Sequence, residues 1–233
     1  MRLEIINGMQ ILIIAFLSYI ITIPFAGWFE ALVAKKVGDD VPEQAGFLTL
    51  NPLEHFNVFG FAAVLWGIFF AHALPFQLIP GWGRYIPLVP DNIRGQYYKL
   101  RIFIEYIGRS FAHLFLLIAA VTTMMLVCGA AHVRGLTPML LASSTSSFKE
   151  VIVSLLYFIC QQNLVLFVIH FILGIFKYLI YFHMSKLREV SVMTMIFGFI
   201  LLMIGLSIFG PLLEIFAANI IEGIRLILLR VIK

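Results

Sequence analysis

Residues 38–60, GDDVPEQAGFLTLNPLEHFNVFG, are the polar interruption in a chain that is otherwise close to hydrocarbon. The stretch holds four acids, three glycines and two prolines, then a histidine between Glu54 and Phe56. On either side of it the charges vanish. Residues 5–29 and 56–83 contain none, and the same is true of 110–133, 151–176 and 190–213. Each run is long enough to cross about 30 Å of hydrocarbon at ~1.5 Å per helical residue. In lipid the backbone must satisfy its own hydrogen bonds, which selects helices over open strands. The expected fold is therefore all-α and integral to the membrane, with five main transmembrane helices and the polar island between the first two.

Composition agrees. The chain of 233 residues is 62% hydrophobic and 12% charged, with mean hydropathy +1.03. Soluble domains carry about twice that charge. The net charge of +4 reads as basic flanks facing anionic lipid. It forms no basic stripe, so nucleic acid is not an expected partner. Cys128 and Cys160 sit inside apolar runs and read as small hydrophobes. The first apolar run is too long for a cleavable signal peptide and lacks a small-x-small cleavage site, so it is expected to stay.

The second run ends in ALPFQLIPGWG (73–83), with Pro75 and Pro80. It is expected to span only to about Leu74, after which Trp82 and Tyr85 suit the headgroup level. Ser143–Ser147 reads as a loop. The tail EIFAANIIEGIRLILLRVIK (214–233) spaces Ile220, Ile224, Leu228 and Ile232 between Arg225, Arg230 and Lys233. It reads as an amphipathic helix lying on the membrane, or more sharply as a partner-binding helix. Five spans put nine basic residues on the side of Arg2 and seven on the other, a slight preference for a cytoplasmic N-terminus.

The island also resembles a family. Gly38-Asp39, then Ala45-Gly46-Phe47-Leu48-Thr49-Leu50-Asn51-Pro52-Leu53-Glu54-His55-Phe56-Asn57-Val58-Phe59-Gly60, is similar to the segment that follows the active-site helix of site-2 proteases. These are intramembrane zinc metalloproteases. Fainter likenesses are PLVPDNIR (87–94), with Asn92, and QNLVL (162–166), with Asn163. The resemblance covers roughly Gln10 to Tyr178 and implies a protease-like transmembrane core over residues 1–182; the fifth uncharged run adds a transmembrane helix at 183–213, and the amphipathic helix follows at 214–233.

The family's chemistry needs two histidines one helical turn apart to hold zinc, with a glutamate beside the first as base. Counted back from Gly38-Asp39, those positions read Ala26, Gly27 and Glu30 in AGWFE. The third ligand, an aspartate, falls near Tyr178, and Asn57 stands where the family has another aspartate. The third-helix motif reads Ile107-Gly108-Arg109, without its proline. The resemblance thus implies a degenerate member: zinc is expected of the family, but its ligands and base are missing, so no cofactor and no catalytic residue is expected.

The other arrangements of functional groups are sparse. No two of His55, His72, His113, His132, His170 and His183 stand at i+3 or i+4. A zinc site from His72, His113 and His170 is imaginable, though such histidines more often hydrogen-bond within a bundle, and His170 is expected to make a polar contact between helices. Ser110 and His113 share a helix face at i+3, the minimum for a serine nucleophile and its base. Glu105 and Arg109 read as a local i, i+4 pair. Glu30 reads as snorkelling at the interface beside Lys35, or more sharply as an acid within the bundle that is paired or functional. Asn51 and Pro52 are expected to cap the entry to the second helix, and the island with His55 could alternatively keep a groove for an extended peptide.

Three functions follow as expectations. The first is a catalytically inactive site-2-protease-like protein in a multi-pass, bacterial inner or plasma membrane. It would be a scaffold, a complex subunit or a binder of transmembrane segments, with lipid and a membrane protein as partners. The second is an active metalloprotease with an unconventional site. The third is a small transporter or channel subunit, which the scarcity of intramembrane charge opposes.

Overall fold

Long uncharged runs become long helices wherever nothing breaks them, and the punctuation decides their ends. The computed structural model describes residues 2–70, 81–128 and 148–183, and residues 219, 222–227 and 229–230 of the tail. Its elements are α1 (Arg2–Val37), the single turns α2 (Val41–Gln44) and α3 (Pro52–His55), α4 (Val58–Phe70), α5 (Tyr98–Cys128) and α6 (Phe148–His183), with a 3-10 turn at Pro90–Asn92. No strand occurs among the described residues.

Three helices are long and apolar enough to cross a membrane: Met9–Val37, Tyr98–Val127 and Phe148–His183. They carry the first, third and fourth of the expected spans. The second run forms the shorter α4, 13 residues, and residues 71–80 with His72, Pro75 and Pro80 lie outside the described set. So do the fifth run, the SSTSS loop and His132.

Helix ends differ from expectation in an informative way. α5 begins at Tyr98 instead of Ser110, and α6 continues through Lys177 to His183. Charge marks the end of an apolar run, but it does not end a helix when the charge can be paired inside a bundle. Both extensions bring ionisable side chains between the helices.

Small residues let the helices approach. Ala26, Ala31 and Ala34 on α1 and Ala112 on α5 are almost wholly buried. A Cβ at Gly174 would lie 2.6 Å from the Tyr106 carbonyl oxygen, and one at Gly108 would lie 3.1 Å from Val33 Cγ1. Close backbone approach through small side chains is the usual way membrane helices gain packing energy. Gly174→Ala is therefore expected to force α5 and α6 apart and to cost about 1–3 kcal/mol, read as a lowered unfolding midpoint in detergent.

Between the helices, Ile14, Tyr19, Ile23, Val64, Phe158 and Leu166 join α1, α4 and α6. Leu117, Val121, Met124 and Met125 join α5 to Ile159, Cys160 and Leu164 of α6. Ile224 and Leu229 of the tail pack against that second cluster, and Arg225 pairs with Glu222 through Nε at 2.7 Å. Ile224 and Leu229 thus turn to the chain's own bundle while Leu226 and Ile227 stay exposed, a division the spacing alone did not give. Ile220, Leu228 and Ile232 lie outside the described residues.

Candidate functional site

The island closes one end of the bundle. α1 stops where Gly38 takes φ +112°, a left-handed conformation that glycine adopts without penalty. The amide of Asp39 then closes back on Ala34 O at 2.9 Å. The Asp39 side chain is fully buried and receives three donors. Oδ1 accepts from Val41 N at 3.2 Å and Asn92 Nδ2 at 3.1 Å, and Oδ2 accepts from Val89 N at 2.7 Å. Asn92, singled out in the sequence, therefore works by tying the 3-10 turn to Asp39.

Asn51 does cap a helix, but a different one from that expected. Its Oδ1 accepts from Leu53 N at 3.2 Å and Pro52 opens the single turn α3. The longer α4 is capped by Asn57, whose Oδ1 accepts from Gly60 N at 2.9 Å. A proline at the first turn and a side-chain acceptor before it suit either helix, so local chemistry could not separate them.

Beside the island runs the chain's own extended segment, residues 81–89. Arg84 N donates to His55 O at 2.8 Å. The Tyr19 hydroxyl lies 2.9 Å from Trp82 O and 3.0 Å from Asn57 O. Gly60 is required here, because a Cβ would fall 1.8 Å from Trp82 O. Residues 82–84 thus lie against the backbone of His55 and beside Tyr19 and Gly60.

His55 is buried, with Nε2 2.7 Å from Thr49 O. Its ring lies over Gly27: a Cβ there would sit 2.2 Å from His55 Nδ1. Burial lowers the pKa of His55 below the ordinary histidine value, which favours the neutral ring.

Above that end, polar side chains line the inside of the three long helices. Ser18, Thr22, Ala26 and Glu30 recur every four residues on α1, and Glu105, Arg109 and His113 do so on α5, so each set shares one face. Ser18 Oγ donates to Gln162 Oε1 at 2.9 Å. Asn163 Nδ2 donates to Thr22 Oγ1 at 3.0 Å and to Ile159 O at 2.8 Å. Its Oδ1 is therefore the acceptor for His113 Nδ1, 2.9 Å away, which assigns the proton to Nδ1. His170 Nδ1 donates within its own helix to Leu166 O at 2.9 Å. Its ring meets that of His113 at 5.0 Å between centroids, so two histidines that are isolated in sequence are neighbours in space. Asn163→Leu removes the contacts to two other helices and strands the His113 N–H. It is expected to cost about 2 kcal/mol, measured as a shift in the detergent unfolding midpoint.

Towards the island the polar line becomes ionic. Glu30 is buried and lies 3.1 Å from Arg109 Nε. The contact is an ion pair without hydrogen-bond alignment, since neither Glu30 Oε2 nor Arg109 Nη2 has a hydrogen-bond partner among the described residues. This corrects two expectations. Glu30 does not snorkel beside Lys35, which instead pairs with Glu43 at 2.6 Å. Nor does Arg109 pair with Glu105 one turn away. Bundle geometry points Arg109 across to α1 and leaves Glu105 fully buried, with no hydrogen-bond partner on either oxygen. Asp39, Glu30 and Lys177 are the charged groups that act on it.

Ser110 Oγ is buried without a partner and His113 Nδ1 is turned to Asn163, so the serine–histidine pair is not formed. Tyr178 packs its ring on Phe103 and Phe182, at 5.3 and 4.9 Å between centroids. The zinc that the resemblance implies does not fit these side chains. Ala26 offers no donor atom, the space over Gly27 holds the His55 ring, Glu30 is paired with Arg109, and Tyr178 is stacked. Among the described residues no group of three or more His, Cys, Asp or Glu side chains is arranged to hold a metal ion.

Sequence reasoning missed Thr22, Gln162, Asp39 and Lys177. The four-residue recurrence on α1 and α5 was a readable signal for Thr22. Nothing local marked Lys177, which gains its role only from the helices opposite. Comparison with protein-family models, with curated proteins and with solved structures finds no match.

Proposed function

We propose that this chain is a non-hydrolytic, site-2-protease-like membrane protein that serves as a scaffold, a complex subunit or a binder of transmembrane segments. Its place is a bacterial inner or plasma membrane, which it crosses several times, and its partners are lipid and another membrane protein. The observation that carries the reading is the Glu30–Arg109 ion pair at 3.1 Å. At the position aligned with a metal ligand, the acid's counter-charge is a side chain of the same protein. The alanine and glycine at 26 and 27 supply neither a ligand nor a base, so no water is activated there. What remains is a helical bundle with exposed apolar faces, such as Ile13, Phe16, Leu17 and Ile21 on α1, against which lipid or a further helix packs.

The test uses the full chain reconstituted in vesicles with fluorescently labelled single-span peptides. Saturable energy transfer with the peptide recovered intact supports the reading. Cleavage of the peptide, or no transfer above that of a lipid-only control across the panel, contradicts it.

One observation favours a second reading. Glu30, Glu105, Arg109 and Lys177 place ionisable groups between apolar helices, which is costly and characteristic of transport pathways. A small transporter or channel subunit would give ion flux in the same vesicles without added peptide.

A further inference from the structure

Glu105 is the buried group that no other side chain explains. It is 0% exposed, and both carboxyl oxygens lack a hydrogen-bond partner among the described residues. The titratable and charged groups around it come from every element packed there. Glu30 on α1, Asp39 on the island and Lys177 on α6 act on it electrostatically, and it acts on Tyr85 of residues 81–89. Tyr106 is its neighbour on α5, and Arg109 enters through its ion pair with Glu30.

The charges in this enclosure do not balance. Three carboxyls, Glu30, Asp39 and Glu105, share two cations, Arg109 and Lys177. Arg109 is committed to Glu30. Asp39 is held by three N–H donors, an environment that suits a carboxylate. Glu105 has no hydrogen-bond donor among the described residues, and the one cation left to it, Lys177, acts on it without forming a salt bridge, so a charged Glu105 is only partly compensated, which is costly among helices.

We propose that the Glu105 carboxyl, enclosed by Glu30, Asp39 and Lys177, is a binding site for one monovalent cation, either a proton or a sodium ion. A proton would sit on a Glu105 oxygen and be shared with the Asp39 carboxylate it faces. A sodium ion would use the two free Glu105 oxygens. The site centres on Glu105, borders the aligned protease position Glu30, and stands whether or not the chain binds transmembrane segments.

The experiment is difference infrared spectroscopy of the detergent-purified full chain, paired with thermal unfolding in sodium chloride against choline chloride at equal ionic strength. The proton form predicts a protonated-carboxyl C=O band that disappears in Glu105→Gln. The sodium form predicts no such band and a sodium-dependent rise in Tm that the same variant abolishes. If Glu105→Gln does not assemble, the wild-type chain carrying 13C-labelled glutamate assigns the band, which must shift for the proton form to hold. Neither a glutamate band nor a sodium response in the wild-type chain overturns the proposal. So does a band or response that Glu105→Gln leaves unchanged.

Discussion

Arg109→Met is expected to destabilise the protein by about 3–5 kcal/mol, the cost of stranding the partner of a buried ion pair. The Arg109 and Glu30 side chains are 11% and 7% exposed, so water screens little of the interaction. The variant leaves Glu30, Asp39 and Glu105 facing Lys177 alone. Glu30→Gln is expected to cost less, about 1–3 kcal/mol, the range for an orphaned buried polar partner. Glu105 stands one turn from Arg109 on the same helix, and the freed guanidinium can turn to it. The double variant Glu30→Met/Arg109→Met is expected to recover most of the loss, because replacing both members by apolar groups of similar volume is often close to neutral. Unfolding midpoints of the four proteins in a detergent titration check the order. Equal costs for the two single variants with no recovery in the double would contradict the pairing.

The second large effect is expected at Asp39. Its carboxylate gathers Val41 N, Val89 N and Asn92 Nδ2, and hydrogen bonds to a charged group contribute about 1.5–3 kcal/mol each without being additive. Asp39→Ala is expected to cost about 3–5 kcal/mol, the upper range for breaking a buried network, and to release the 3-10 turn from α1. Hydrogen exchange reports it directly. The Val89 amide is protected in the wild-type chain and exchanges rapidly in Asp39→Ala, whereas amides in the middle of α6 keep their protection. Asp39→Asn retains one acceptor oxygen and is expected to lie between the two.

These two residues also show where the sequence was legible. The first helix was legible as the uncharged run 5–29, but its end was not: it continues to Val37 and stops at Gly38, whose φ of +112° is a local glycine property. The long helices were legible for the same kind of reason: an uncharged run has few alternatives in lipid. What sequence could not supply was partnership. Glu105 and Arg109 at i, i+4 satisfy the local rule, yet Arg109 pairs with Glu30 across the bundle. His113 and His170 do meet across two helices, but as neighbouring rings, since His170 Nδ1 bonds within its own helix instead of making the expected polar contact between helices. Asn51 was visible as a cap, but only the fold shows that it caps the single turn α3 and that Asn57 caps the longer α4. Arg109 bounds the uncharged run without bounding the helix, and α5 begins further upstream at Tyr98, because a charge paired inside the bundle does not end a helix.

The same distinction bears on the island. It follows a pattern that resembles an active-site flank, while the positions meant to do chemistry are filled by Ala26, a His55-covered Gly27 and an Arg109-paired Glu30. Those contacts give the segment a structural use: it ties α1 to residues 81–92 and closes the end of the bundle.

The measurement that tests this account most directly is the metal content of the detergent-purified full chain, by mass spectrometry, alongside Glu30→Ala. The account predicts zinc far below one per chain in both proteins and a Tm that a chelator leaves unchanged. About one zinc per chain in the wild-type protein, lost in Glu30→Ala, would contradict it and make Glu30 a ligand in place of an ion-pair partner.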